Sequence, residues 1–167
     1  MSRLPRPEPS FPLPLAPGAL YVCGLELARG RTWLVGSGMT DEDYMRLALE
    51  EARLAAEEGE VPIGAVVVCG GEVIARAHNR RETDRDPSAH AEFSAMCMAA
   101  RALDRWRLTG CTVYVTLEPC LMCAGLMVNA RIDRCVYGAS DPKGGALGTL
   151  FDVSHDERLN HEFDVAS

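Results

Sequence analysis

The chain has 167 residues, 47% apolar and 25% charged, with a net charge of −7. This is one ordinary domain with room for a short extension, able to bury roughly 70% of its unfolded surface. The composition excludes a mainly disordered chain, a collagen and a bare coiled coil.

Residues 1–17 hold six of the ten prolines, and periodic patterning begins only near Met39. Residues 1–38 are therefore expected to be a disordered or loosely attached extension, with the domain at 39–167. The longest uncharged run, Pro9 to Leu25, is 17 residues long and carries four prolines. It is too short and too broken for a membrane helix, and no convincing small-residue cleavage site follows it. A cytoplasmic protein with no membrane partner is expected.

The elements follow in chain order. Thr40 suits an N-cap, with Asp41, Glu42 and Asp43 in the first helical turn. Met45, Ala48, Leu49, Ala52, Ala55 and Ala56 continue at helical spacing, and Gly59 ends the helix. Ile63–Cys69 and Glu72–Asn79 read as strands joined by the two-residue turn Gly70-Gly71. A polar loop, Arg80–Ser88, leads to a helix at about 89–103. Then come a β-branched strand, Thr112–Leu117, a helix from about Cys120 to Ala130, and a strand, Ile132–Tyr137. Gly138–Gly148 is a glycine-rich loop, and 149–167 is weakly patterned. The order α-β-β-α-β-α-β predicts an α/β fold with helices packed on a mixed sheet.

Seven cysteines and no clear secretion signal argue against a disulfide scaffold. Cys23, Cys69, Cys97, Cys111 and Cys135 read as packing residues. Cys120 and Cys123 form a C-x-x-C preceded by Pro119, and His90-Ala91-Glu92 lies upstream. One imidazole and two thiolates suit a borderline-soft ion such as zinc. Two sulfurs three apart at a helix start face one side, where the helix dipole favours thiolate. His90 opens the other helix, so the two N-termini can converge on one ion.

Three protein ligands leave one position open, which is the catalytic arrangement; structural zinc normally takes four. The ion lowers the pKa of water in that position towards about 7. Glu92, two residues beyond His90, can reach that water without reaching the metal and can move its proton. Each fragment alone has an ordinary explanation. A lone C-x-x-C is as often structural or redox, a lone His caps a helix, and a lone Glu is solvated. Together, H-x-E and P-C-x-x-C at helix starts are the signature of the zinc nucleobase deaminases.

The sequence resembles the bacterial tRNA-specific adenosine deaminase family over about residues 41–165. The matching strings are Glu60-Val-Pro-Ile-Gly-Ala-Val66, Asn79, Asp86-Pro-Ser-Ala-His-Ala-Glu92, Tyr114-Val-Thr-Leu-Glu-Pro-Cys-Leu-Met-Cys-Ala-Gly125, Arg131-Ile132, Tyr137-Gly-Ala139, Asp141-Pro-Lys-Gly-Gly145 and Asn160-His161. The resemblance implies conversion of adenosine to inosine at the wobble position of an arginine tRNA. It implies a three-layer cytidine-deaminase-like fold, a mixed five-stranded sheet with helices on both faces, and a homodimer. His90, Cys120 and Cys123 would bind one Zn2+ per chain, and Glu92 would shuttle protons. Asn79 would hydrogen-bond the purine; a side-chain amide offers both donor and acceptor. Asp141 would contact ribose or backbone, and Lys143 phosphate, of a tRNA anticodon stem-loop.

Three features stand apart. The domain without residues 1–38 carries −9, whereas a nucleic-acid binder usually shows a basic excess. RNA contact is therefore expected from a local patch, for which Arg80, Arg81 and Arg85 are candidates. Residues 1–38 have no family counterpart, and the chain stops at Ser167, before the basic, aromatic final helix usual in the family. Two rival readings remain: a deaminase of a free base or nucleoside such as guanine or cytosine, and a non-catalytic zinc module. The second needs a fourth protein ligand, for which Cys111 and His78 are the candidates.

Overall fold

The computed structural model describes residues 38–167. The expected extension at 1–38 therefore lies, apart from Gly38, outside the described residues. The first helix, α1, spans Asp41–Glu57. Its start follows from a reciprocal cap: Asp43 N donates to Thr40 Oγ1, and Thr40 N donates to Asp43 Oδ2. A hairpin follows, β1 (Gly64–Cys69) and β2 (Glu72–His78). Its turn residues Gly70 and Gly71 both have positive φ, 60° and 84°, which only glycine adopts without strain.

The expected polar loop contains a short helix, α2 (Arg81–Asp84). After it come α3 (Ala91–Ala102), β3 (Cys111–Val115), α4 (Leu121–Ala130) and β4 (Arg134–Tyr137). The weakly patterned end supplies a fifth strand, β5 (Asp164–Ala166). The sheet order is β2-β1-β3-β4-β5. The β1–β2 and β1–β3 ladders are antiparallel, and the β3–β4 and β4–β5 ladders are parallel.

The sheet is covered on both faces. Ala65 and Val67 of β1 join Val113 and Val115 of β3 in a core shared with Ala95, Met96 and Ala99 of α3 and Ala124 and Met127 of α4. The alternate residues Val66 and Val68 pack with Tyr114 and Val136 against Tyr44 and Ala48 of α1. This explains the unbroken apolar run of β1: both of its faces are interior. Asp41 ties α1 to the sheet through a paired contact with Arg134, at 2.9 and 2.7 Å, and a hydrogen bond from Tyr114 Oη. Cys69, Cys111, Cys120, Cys123 and Cys135 form no disulfide. No helix among the described residues is long and apolar enough to cross a membrane.

Candidate active site and metal centre

His90 is the N-cap of α3 and Cys120 the N-cap of α4, both with extended backbone. Neither side chain caps its own helix. Instead both turn towards a common point, joined by Cys123 from the first turn of α4. His90 Nδ1 stands 3.7 Å from Cys120 Sγ and 3.7 Å from Cys123 Sγ. All three ligand atoms lie within 4.8 Å of one another, and this is the one such group among the described residues.

Tetrahedral zinc with its usual bond lengths would hold a nitrogen and a sulfur about 3.6 Å apart. The observed spacing and donor set therefore fit that ion. The hydrogen bond between the sulfurs and the one from His90 pull the Cys120 thiol down to about 3. Cys123 is pushed the other way, first by its bond to Cys120 and then by burial. The pair thus holds one proton between its two sulfurs, with Cys120 the thiolate, and a bound cation would take that proton's place.

Glu92 sits in the first turn of α3 and is 4% exposed. Burial pushes its carboxyl above the ordinary value, against hydrogen bonding with Cys123 and the charge of His90. It stands beside the three ligands without belonging to their cluster.

The remaining expected residues are placed as follows. Asn79 comes directly after β2 and is buried, its Nδ2 donating to Glu60 Oε2 at 3.1 Å. Asp141 and Lys143 lie on the loop after β4, where Asp141 Oδ1 accepts from Lys143 N. That loop reaches the candidate ligand Cys120, because Gly145 pairs with it in an isolated bridge and Ala146 N donates to Pro119 O at 2.9 Å. Arg80 is committed to Glu58 and Asp84, whereas Arg81 and Arg85 are exposed. Neither candidate fourth ligand joins the cluster. Cys111 faces Cys69 across the β1–β3 ladder, and His78 lies between Glu51 and Glu58.

Sequence reasoning passed over the buried acids Glu51, Glu60 and Glu118. Glu118 is 2% exposed. It accepts from the backbone N–H groups of Asp141, Leu147 and Thr149 and from the Thr149 hydroxyl. This carboxylate is the centre on which the 138–149 loop is folded. Asn160-His161 also has a structural place: Arg131 donates to both oxygens of Asn160, and His161 Nε2 to Ile132 O. These bonds fasten the last segment beside β4.

A mixed sheet with these two helix starts converging on it is the architecture of a deaminase, and residues 39–166 match the MafB19-like deaminase family. The tRNA-specific adenosine deaminase of Bacillus subtilis (strain 168) is 56% identical over 127 residues, 76% of this chain and 79% of that protein. That of Agrobacterium fabrum (strain C58 / ATCC 33970) is 51% identical over 124 residues, 74% and 82% of the two chains. The chain belongs to the tRNA-specific adenosine deaminase family.

Among solved structures, one from work on A-to-I editing by tRNA:A34 deaminases at the wobble position is 49% identical. Its TM-score is 0.73, over 75% of this chain and 92% of the other. A guanine deaminase from Bacillus subtilis is more distant, 36% identical with a TM-score of 0.59 over 61% of this chain and 66% of the other.

Proposed function

We propose that this protein deaminates adenosine to inosine at the wobble position of tRNA, an arginine tRNA by family resemblance. The observation that carries the chemistry is the triangle of His90, Cys120 and Cys123 beside the buried Glu92. The greater identity to tRNA-specific adenosine deaminases than to the guanine deaminase supports the substrate.

His90 Nδ1 and the two sulfurs would hold one Zn2+ per chain. The ion, when bound, supplies Lewis-acid activation of water at neutral pH. Glu92 would take a proton from the attacking water and pass it to the base, as the water oxygen bonds to the carbon bearing the amino group and the C–N bond breaks to release ammonia. Burial keeps the Glu92 carboxyl away from bulk water, so protons pass between it and the substrate. Asn79 holds the purine, and the loop carrying Asp141 and Lys143 lies along the extruded nucleotide. The exposed Leu121 and Met122 in the first turn of α4 support a homodimer that covers them. A tRNA substrate supports the expected cytoplasmic location.

The test is a substrate panel: tRNA with adenosine at the wobble position, the same tRNA with guanosine there, free adenosine, guanine and cytosine. Inosine is expected only in the first tRNA. Release of ammonia from guanine or cytosine instead would overturn this reading in favour of a free-base deaminase.

A further inference from the structure

Asn79 and Glu60 are 19 residues apart in sequence and both buried, 6% and 5% exposed. The Asn79 side-chain nitrogen lies 3.1 Å from Glu60 Oε2 and 3.5 Å from Val61 O. Both partners are oxygens that can only accept. Rotating the amide by half a turn would set its oxygen against them, so the network fixes which way it points. Glu60 is itself held in place, because its other oxygen accepts from Thr83 N at 2.6 Å. The carboxylate thus bridges α2 and the end of β2, and it cannot turn without giving up one of these bonds.

The Glu60 bond therefore turns the nitrogen of Asn79 towards protein, the contact to Val61 O being long, and the oxygen Oδ1 is the face left for a ligand. We infer that Glu60 is a positioning residue that presents Asn79 as a hydrogen-bond acceptor, so that the pocket selects a ligand group bearing an N–H or O–H, such as an exocyclic amine or a sugar hydroxyl. This rests on the reading of Asn79 as a substrate contact. It narrows that reading, since a free amide would serve donors and acceptors alike.

A polarity swap tests it. Asn79→Asp alone sets two carboxylates face to face and should lower kcat/KM at least ~10-fold through a lost buried bond. Glu60→Gln alone lets the two amides pair either way round and should give a smaller loss. In Glu60→Gln/Asn79→Asp the new amide at position 60 donates to the new carboxylate at position 79. It also keeps an oxygen for Thr83 N, and an acceptor still faces the ligand. The double variant should recover to within about 3-fold of wild type.

If Asn79 serves its ligand through N–H, the double variant stays as impaired as Asn79→Asp, because no donor remains at position 79. That result overturns the inference. So does wild-type turnover in both single variants, even where their thermal midpoints fall and the swap restores them, because the contact would then be structural only. Metal content and thermal midpoint are measured in every variant. Each is assayed on an RNA hairpin with wobble adenosine and on guanine. A wild type active only on guanine ends the proposed function, while the rescue pattern on guanine still decides the role of Glu60.

Discussion

The carboxylate of Glu118 lies where a side chain on Gly145 would have to go. A Cβ there would stand 2.7 Å from Oε1 and closer still to Oε2. Gly145 is also the residue bridged to the candidate metal ligand Cys120. Loop, carboxylate and ligand are thus in direct contact, and Gly145→Ala cannot be accommodated without expelling Glu118. Overpacking of this kind should cost ~1–3 kcal/mol. The expected outcome is a lower thermal midpoint together with faster loss of metal to a chelator. An unchanged midpoint and an unchanged chelation rate would show that the loop yields without disturbing the site.

Glu92→Ala should separate metal binding from chemistry. The ligand triangle does not include this residue, so about one zinc per chain should remain. Turnover should fall at least ~10²-fold with the loss of the acid–base group. Cys120→Ala or Cys123→Ala should instead lose metal and activity together. Elemental analysis beside single-turnover rates checks both. Zinc loss in Glu92→Ala would make that residue a ligand and remove its assigned role.

Stability should depend on pH through the pair Glu51–His78. The Glu51 carboxylate accepts from Arg76 Nε at 2.9 Å and lies 3.0 Å from His78 Nδ1. Glu58 faces the other ring nitrogen, and Glu50 and Arg80 complete the surroundings. The bond to Glu51 raises His78 above its ordinary value of 6.5 despite burial. Burial pushes Glu51 up, but His78 and Arg76 outweigh it and hold it below 4.5. A raised His contributes fully below pH 6.5 and loses its contribution as pH climbs through its folded value. A lowered Glu contributes above pH 4.5 and loses its contribution as pH falls through its folded value. The stability gap between wild type and His78→Gln should therefore be widest between those limits and narrow on either side. Glu51→Ala should cost about 2 kcal/mol within that window. Denaturant midpoints across a pH series measure this, and a flat gap would refute it.

A chain beginning at Met39 should fold, bind zinc and turn over substrate as the full chain does. All five strands of the described sheet, both cores packed on it and the three candidate metal ligands lie within 39–167. Insolubility or metal loss in the shortened chain would show that the first 38 residues take part in the fold.

What could be read from the sequence was what local chemistry encodes. The Thr40 cap, the Gly70-Gly71 turn and the apolar run of β1 each follow from the residues on the spot. The convergence of Cys120 and Cys123 was readable for the same reason, since three-residue spacing at a helix start puts both sulfurs on one side. The strand β5 was not, because three residues show no period and only the pairing with β4 defines them. Nor was α2, a four-residue helix inside a polar stretch. Glu60 and Glu118 illustrate the deeper gap. Acids at such positions are ordinarily solvated, and only tertiary packing reveals that these two are buried and surrounded by donors. Asp141 is a partial case: its backbone and side chain shape the loop, as an Asp-Pro turn would suggest.

The two N-cap positions given to His90 and Cys120 have a cost that the ion would repay. An N-cap side chain ordinarily accepts from the first backbone N–H groups of its helix, worth typically ~1 kcal/mol. Neither residue does so here. The first turns of α3 and α4 are therefore held down by whatever joins their two starts. Binding of zinc across them should act as a shared clasp, and its removal should loosen both turns at once. Amide hydrogen exchange would report this as a paired, metal-dependent protection. Residues 91–94 and 121–124 should exchange quickly after chelation and slowly after zinc is restored, while β1 and β3 stay protected throughout.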